Sequence, residues 1–539
     1  MRQKKQILMM ACLLGLAGLV SSLPVQTQAY TVAVQQQGRS GGTEEEQARK
    51  ARYEAKYGAP YGVSWVERNQ RKEPNRAVSR RTSSQQKVAS TYARKYGLDR
   101  AQELRSLSSN KTKYESNRLK TVSKATRPIA ARNPKTAVLP SYPVTTDKLV
   151  APVESKEPNV RVLLGSRQSA LTVMPITPLG AYTLAYSKVL QSSPQVPLTI
   201  TVSGNQVYAN GRAIGQYAFF MSPQGREKTL FRTLGHTYRG VLSVTAVNGA
   251  MRLVNVVPLE EYLYGVVPRE AIPSWPKAAL EAQAVAARTY ALYNMNQNKN
   301  KVYDVEPTTY NQVYGGKDSE YVATNAAVDA TRGQVMYYNG QPIDAVFHSD
   351  GGGYTENSEN VWGTVLPYLR GVRDYAHSGS SAWTVNLTKQ QLEYKLASAG
   401  KGVGSLYSIE LSPLGPRPIQ TADRGVSGRV KQVVFVGSNG RRTIAGDKLM
   451  AILGLKSSLF DFYINEQPPA SPETGGRAKH TFTGGNDTVY IKGYGWGHGL
   501  GLSQWGAAAL AEQAPAGDAT YYQKILHHYY TNVEIKRAY

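Results

Sequence analysis

Three groups of side chains in this 539-residue chain are of types that could do chemistry. The first is a single acid, Glu270, in the run Val266-Val267-Pro268-Arg269-Glu270-Ala271-Ile272-Pro273-Ser274-Trp275. A carboxyl set among Val266, Val267, Ile272 and Trp275 would be partly desolvated, which suits a group that must hold a proton for acid work. Arg269 pulls the other way if its side chain points at the same site. The second group is His348-Ser349-Asp350-Gly351-Gly352-Gly353, where three consecutive glycines permit close backbone approach to a ligand. The third, Gly493 to Gly506, has six glycines with Tyr494, Trp496, His498, Gln504 and Trp505. Plainer readings stand beside these: a surface-turn carboxylate for Glu270, and a tightly packed β-core loop for the glycines and tryptophans. An imidazole between Gly497 and Gly499 has few local side chains to pack against, which favours a functional His498.

The elements that must position these residues are mostly strands. Val160–Leu164 and Leu198–Val202 have strand composition. Asn210-Gly211, Asn248-Gly249, Asn339-Gly340 and Asn439-Gly440 sit between β-like runs, as tight hairpins require. The clearest hairpin is Gly240–Thr245, the Asn248-Gly249 turn, then Met251–Val257. One strong helix interrupts this pattern from Lys277 to about Met295, rich in Ala, Leu and Tyr, with Pro276 in its first turn and Ser274 as its cap. On it Gln283 and Tyr290 are seven residues apart and share a face, whereas Arg288 aligns with Lys277 and Glu281. A weaker helix is expected over 321–330 and a terminal one over 521–530, with a Pro/Gly-marked loop near 467–476. The fold class is α+β, mostly β with inserted helices. The β-rich part spans 156–257, and the motifs fall in 258–539.

The first 155 residues read differently. Arg2, Lys4 and Lys5 precede an apolar run from Ile7 to Val20, and a small-residue site follows at Thr27-Gln28-Ala29. This is the pattern of a secretory signal peptide over 1–29, cleaved after Ala29, so an extracytoplasmic protein is expected. The single cysteine, Cys12, would leave with it, excluding disulfides, thiol nucleophiles and Cys-based zinc sites. No metal or cofactor is expected. Residues 30–155 are basic and poor in large apolar side chains, the composition of a largely disordered tail. They carry an echo, Y-x-x-K-Y-G at Tyr53–Gly58 and Tyr92–Gly97. Residues 1–150 hold 28 Lys/Arg against 10 Asp/Glu, a net of +18 of the chain's +26. An anionic wall polymer or membrane surface is therefore the expected electrostatic partner, and nucleic acid is not.

Four co-ordered blocks carry a family resemblance: Pro258–Pro273 running into Leu280–Tyr290; Phe347–Ser349 with Gly352–Glu359; Val361-Trp362; and Gly497–Ala507. Together they resemble the catalytic domain of the stage II sporulation protein D / amidase-enhancer family, over roughly 155–539, about 70% of the chain. The resemblance implies a peptidoglycan lytic transglycosylase acting on glycan strands, in sporulating bacteria on strands stripped of stem peptides. The name amidase enhancer implies an amidase as a second partner. The family's catalytic acid matches Glu270, although Arg269-Glu270-Ala271 stands where the family often has Ala or Ser, then Glu, then Met. Lytic cleavage needs one carboxyl, because the sugar's own C6 hydroxyl attacks; hydrolysis would need a second, for which Asp350 or Glu356 is the candidate. Substrate contacts are expected from Gln283, Arg288, Tyr290, His348, Ser349, Gly352, His498 and Gln504, with Arg288 orienting the acidic sugar. The alternative for Arg288 is an ion pair with Glu281 or another carboxylate on a solvated stripe. Some relatives bind zinc through His and Cys near the glycine loop; without a mature cysteine that site is excluded here, and a His/Asp variant is the weaker remaining option.

Overall fold

The structure is a computed structural model that describes residues 157–539, apart from 168–169, 376–381, 420 and 470–475. The expected signal, the basic segment and its repeat lie outside the described residues.

Residues 159–258 form two six-stranded antiparallel sheets. One runs in the order Asn159–Arg167, Ala250–Pro258, Val241–Val247, Tyr217–Met221, Leu179–Tyr182, Lys188–Ser192. Successive side chains on a strand face opposite sides, and the inward set (Val160, Val162, Leu198, Ile200, Val244, Ala246) is buried in one shared core. Three of the four Asn-Gly pairs make the expected two-residue turns. Asn210, Asn248 and Asn339 have φ of 46°, 50° and 48°, and the glycine after each is also positive. Both central positions of such a turn need that left-handed conformation. The fourth pair differs: Gly437 pairs with Gly440, so Ser438-Asn439 forms the turn and Gly440 already belongs to the strand.

Among the described residues there are eight α-helices: α1 (Leu259–Glu270), α2 (Lys277–Asn298), α3 (Val322–Ala330), α4 (Ser358–Trp362), α5 (Lys389–Ser398), α6 (Gly446–Leu453), α7 (Gln504–Ala511) and α8 (Tyr521–Tyr529). The α2 helix begins with Pro276 as its N-cap and no side-chain cap, so Ser274 does not play the expected part. The middle of α2, Ala279–Thr289, is buried on every side. Ala284, Ala287 and Ala291 join the core of the first β unit, while Ala279, Ala282, Val285 and Ala286 join a second core with α7 and α8. Its alanines let both layers come close. The α1 helix, which the composition did not suggest, continues straight from the strand ending at Pro258 and accommodates Pro268 in its last turn.

A third core fills a second β unit. It holds a three-stranded sheet (Trp383–Thr388, Thr488–Gly493, Phe460–Ile464) and a four-stranded one (Gly440–Ala445, Gln432–Gly437, Leu406–Glu410, Lys479–Thr481). One small feature matters most for the site. Phe347–His348 pairs in parallel with Leu502–Ser503, which joins the glycine loop to the late glycine-rich block. A bridge between Asp350 and Trp496 reinforces the junction.

Candidate active site

Glu270 is the last residue of α1 and is 1% exposed. Its Oε1 accepts the backbone N–H of Val313 at 2.9 Å, and its Oε2 faces the Gln504 amide, with Nε2 at 3.4 Å. The carboxyl is thus addressed from two directions. The loop Asn311-Gln312-Val313 does the first part. Asn311 Nδ2 donates to the Tyr290 hydroxyl at 3.3 Å, Gln312 Nε2 donates to the Ala287 carbonyl at 3.2 Å, and Tyr262 donates to Gln312 Oε1. This loop therefore clamps the end of α1 onto α2. The second part comes from α7, whose first turn is capped by Ser503 Oγ accepting from Gly506 N. Trp275, five residues past Glu270, meets Trp505 edge-on at 5.1 Å between ring centroids.

Gln283 is buried, and neither of its amide atoms has a partner; the same holds for Gln504 Oε1 and His348 Nε2. Buried polar atoms left unpaired cost stability, and these four lie on residues picked out by the motifs. Tyr290 packs edge-on against Phe347, adjacent to His348.

His348 Nδ1 lies 3.1 Å from the Leu500 carbonyl, which can only accept; Nδ1 then carries the proton and Nε2 presents its lone pair. Burial, with His498 and Arg429 nearby, drives His348 well below the ordinary imidazole value, so it is neutral. His498 was expected to be free of local packing. In the structure its Nε2 bonds the Phe347 carbonyl at 3.1 Å, its Nδ1 accepts from Leu500 N at 3.0 Å, and its ring packs on those of His348 and Trp362. Both nitrogens hold the junction of the two blocks together. The partners come from tertiary contact, which flanking glycines cannot reveal.

Ser349 supplies its carbonyl to Trp505 N at 3.0 Å and is buried. Gly352 has φ of 71°, and a Cβ there would come within 2.8 Å of Leu459 Cδ2 and 3.1 Å of Gly495 N. Packing and backbone conformation account for Gly352 without a ligand.

Arg288 stands apart from the sugar-orienting role expected of it. It is fully buried, with Nε and Nη2 bonded to the two oxygens of Glu260 at 2.8 and 2.6 Å. Its remaining N–H groups reach Thr331 Oγ1 and the carbonyls of Val328 and Gln334. The solvated stripe is corrected too: Glu281 pairs with Lys277 at 3.2 Å instead. The α2 face carrying Arg288 is covered by α1 and α3, and every guanidinium nitrogen is used within the fold.

Asp374, Tyr529 and Arg429, near the glycine loop, were not singled out from the sequence, whereas Asp350 and Glu356 were. Asp374 Oδ2 accepts from Gly351 N at 2.9 Å and its Oδ1 from the Tyr529 hydroxyl at 2.7 Å. Burial first, and Asp374 second, push Asp350 up to about 6. Arg429 is buried behind the loop, with Nη1 on the Gly351 and Tyr354 carbonyls; burial lowers it to about 10, leaving it charged at neutral pH. Glu356 is 0% exposed and accepts from Asn357 N, Asn360 Nδ2, Val426 N, Ser427 N and Ser427 Oγ. Its lone pairs are committed to holding two loops together. Among the described residues no group of three or more His, Cys, Asp or Glu side chains is arranged to hold a metal ion.

Residues 247–338, the segment holding α1 and α2 with Glu270, match the family model described as stage II sporulation protein. Stage II sporulation protein D of Bacillus subtilis is 30% identical over 312 residues, covering 55% of this chain and 80% of that protein. The chain belongs to the stage II sporulation protein D / amidase-enhancer family. Other relatives extend the match. An uncharacterized protein of Brachyspira hyodysenteriae is 32% identical over 385 residues, 70% of this chain and 92% of that one. The amidase enhancer of B. subtilis is 35% identical over 289 residues, 50% of this chain and 39% of that protein. Within the family segment Glu270 accepts from Val313 N and faces Gln504, whereas Arg288 is closed in an ion pair with Glu260.

Proposed function

We propose that this chain is a cell-wall enzyme, a peptidoglycan lytic transglycosylase working outside the cytoplasm with Glu270 as its acid and then its base. The observation that carries the reading is the Glu270 carboxyl, buried at the end of α1 and oriented by Val313 N and the Gln504 amide. Glu270 gives its proton to the glycosidic oxygen as the bond from the muramoyl C1 breaks. The same sugar's C6 hydroxyl then closes on C1, and its proton passes to the Glu270 carboxylate, restoring the acid. The product is a 1,6-anhydro-muramoyl end. No water is consumed, and the intramolecular attack supplies the effective concentration that a free nucleophile would lack. The committed lone pairs of Glu356 argue against its serving as a nucleophile for hydrolysis.

The test is Glu270→Gln on purified glycan strands, with products read by mass. General acid–base groups contribute about 10²–10⁴-fold, and a loss of that size in anhydro ends is expected. Undiminished anhydro product would sink the assignment. A second reading rests on the relative named amidase enhancer, which is 35% identical. On that reading the protein binds wall and raises the turnover of an added amidase, and Glu270→Gln leaves the stimulation intact.

A further inference from the structure

Two glutamines keep buried amide atoms without a partner among the described residues: both atoms of Gln283, which is 2% exposed, and Oε1 of Gln504, which is 1% exposed. Helix geometry fixes where the first of them lies. At about 100° per residue, Ala287, Ala291 and Ala284 stand about 40–100° to one side of Gln283, and Ala279, Ala286 and Ala282 about 40–100° to the other. The first set shares a core with Tyr262, Leu263 and Val266 of α1, the second with Ala507, Ala508 and Ala511 of α7, and both helices touch α2. Gln283 therefore lies on the line of α2 where the α1 side meets the α7 side. Glu270, at the end of α1, meets Gln504, at the start of α7, between the same two helices.

The loop 311–313 gives the position along the axis. Asn311 bonds the Tyr290 hydroxyl, Gln312 the Ala287 carbonyl and Val313 the Glu270 carboxyl, so the loop steps along that line toward the start of α2. Gln283 is the next residue on the line, about 6 Å beyond Ala287. Charge is not what this place offers. Arg288 is locked to Glu260, His348 is neutral, and Arg269 lies against Gly315, where a Cβ would be 3.4 Å from its Cδ. A neutral polar group matches these amides better than a carboxylate does, and Trp505, next to Gln504, adds a ring suited to a sugar. A trans amide presents its N–H and its C=O in opposite directions, so holding both takes an acceptor and a donor from two elements.

We propose that Gln283 and Gln504 together read the 2-acetamido group of the amino sugar on which Glu270 acts, Gln283 Nε2 donating to its carbonyl and Gln504 Oε1 accepting its N–H. Gln504 Nε2 stays with Glu270, so one side chain ties the acetamido group to the acid. The inference rests on the glycan-strand reading above and deepens it, because it names the group by which the sugar is told from a plain hexose.

Binding by the full chain tests it, measured in the Glu270→Ala background, where no strand is cut and Gln504 has no carboxyl to follow. The probes are glycan strands, the same strands de-N-acetylated, and those strands acetylated again. Gln283→Met keeps the length of the side chain and removes both polar atoms. Replacing a partnerless buried amide by an apolar group of similar shape should leave the melting temperature unchanged or higher, while binding of acetylated strands weakens about 10-fold. On de-N-acetylated strands the same substitution should change binding less than 2-fold, and acetylating them again should restore the difference. Strands de-N-acetylated only at glucosaminyl or only at muramoyl residues then identify which of the two sugars is read. Equal losses on acetylated and de-N-acetylated strands, no loss on either, or a lower melting temperature for Gln283→Met would overturn the assignment, the last because the amide would then serve the fold. The catalytic reading fails separately: acetyl-dependent binding through Gln283 without anhydro ends from the wild-type protein would leave this site standing and remove the transglycosylase.

Discussion

Glu260 and Glu270 occupy the two ends of α1, and both are buried to 1% exposure or less. Glu260 is enclosed by donors: both Arg288 contacts, the Tyr539 hydroxyl at 2.6 Å and Gly333 N at 3.0 Å. Burial alone would raise its carboxyl; the guanidinium bonds, with Tyr539 and Gly333, outweigh that and hold it below the ordinary carboxylate value. Glu270 has instead a backbone N–H on one oxygen and, on the other, a neutral amide at 3.4 Å whose own oxygen is unpaired. The same residue type at the same depth is locked to a guanidinium at one end and, at the other, accepts a backbone N–H and faces a neutral amide. Depth of burial therefore does not set a carboxyl's surroundings; its partners do.

Breaking the scaffold end should have the largest effect. Arg288→Ala leaves Glu260 as an uncompensated buried charge, and loss of one partner of a buried pair costs about 3–5 kcal/mol. Denaturant unfolding of the variant should show that drop, and a stability unchanged from wild type would break the contrast. Its pH dependence has a definite sign. Because the folded Glu260 value is lowered, its stabilisation is present above the unfolded-state value and is lost as pH falls through the folded one. Glu260→Gln should accordingly remove part of the acid-induced unfolding.

Asp350 sharpens the comparison with the opposite sign. Its folded value is raised from 3.8 to about 6, so its contribution is fully present below 3.8 and is lost as pH rises through 6. A shift of that size corresponds to about 3 kcal/mol. Asp350→Asn keeps an oxygen for Gly352 N, which donates to Asp350 Oδ1 at 2.6 Å. The variant should be more stable than wild type at pH 8 and similar at pH 4 in thermal melts; parallel curves at both pH values would contradict it.

The smallest stability effect belongs to the Glu270 end. In Glu270→Gln the new carbonyl can still accept from Val313 N, and the unpaired Gln504 Oε1 can accept from the new amide after a ring-free flip of its own amide group. The melting transition should change by less than about 1 kcal/mol, within the range of a replaced neutral hydrogen bond. A collapse comparable to Arg288→Ala would show that Glu270 is scaffold too.

Much of the fold was legible in the chain. The Asn-Gly turns at 210, 248 and 339, the strand compositions around 160 and 198, and the Ala-rich helix all appear close to where local preferences place them. The α1 helix did not, because Gly265 and Pro268 within 259–270 argue against a helix locally, and it is held by packing of Leu259, Tyr262, Leu263 and Val266 into the first core. Of the candidate site, the motif around Glu270 and the α2 residue Gln283 were recognisable, and the contact from Gln504 spans 234 positions of sequence. Arg288 and His498 were assigned by type and neighbours, and their partners lie 28 and 151 positions away. Asp374 and Tyr529 carried no local signal because their hydrogen bond joins segments 155 positions apart.

The sequence by itself determined the residue types available for chemistry, the α+β class and the family, since these depend on local periodicity, turn conformation and ordered motifs. Which buried carboxyl is locked to a guanidinium and which faces a neutral amide was decided only by tertiary structure. Both Glu260 and Glu270 leave water on folding, and what each meets there is set by chain segments that no local preference brings together.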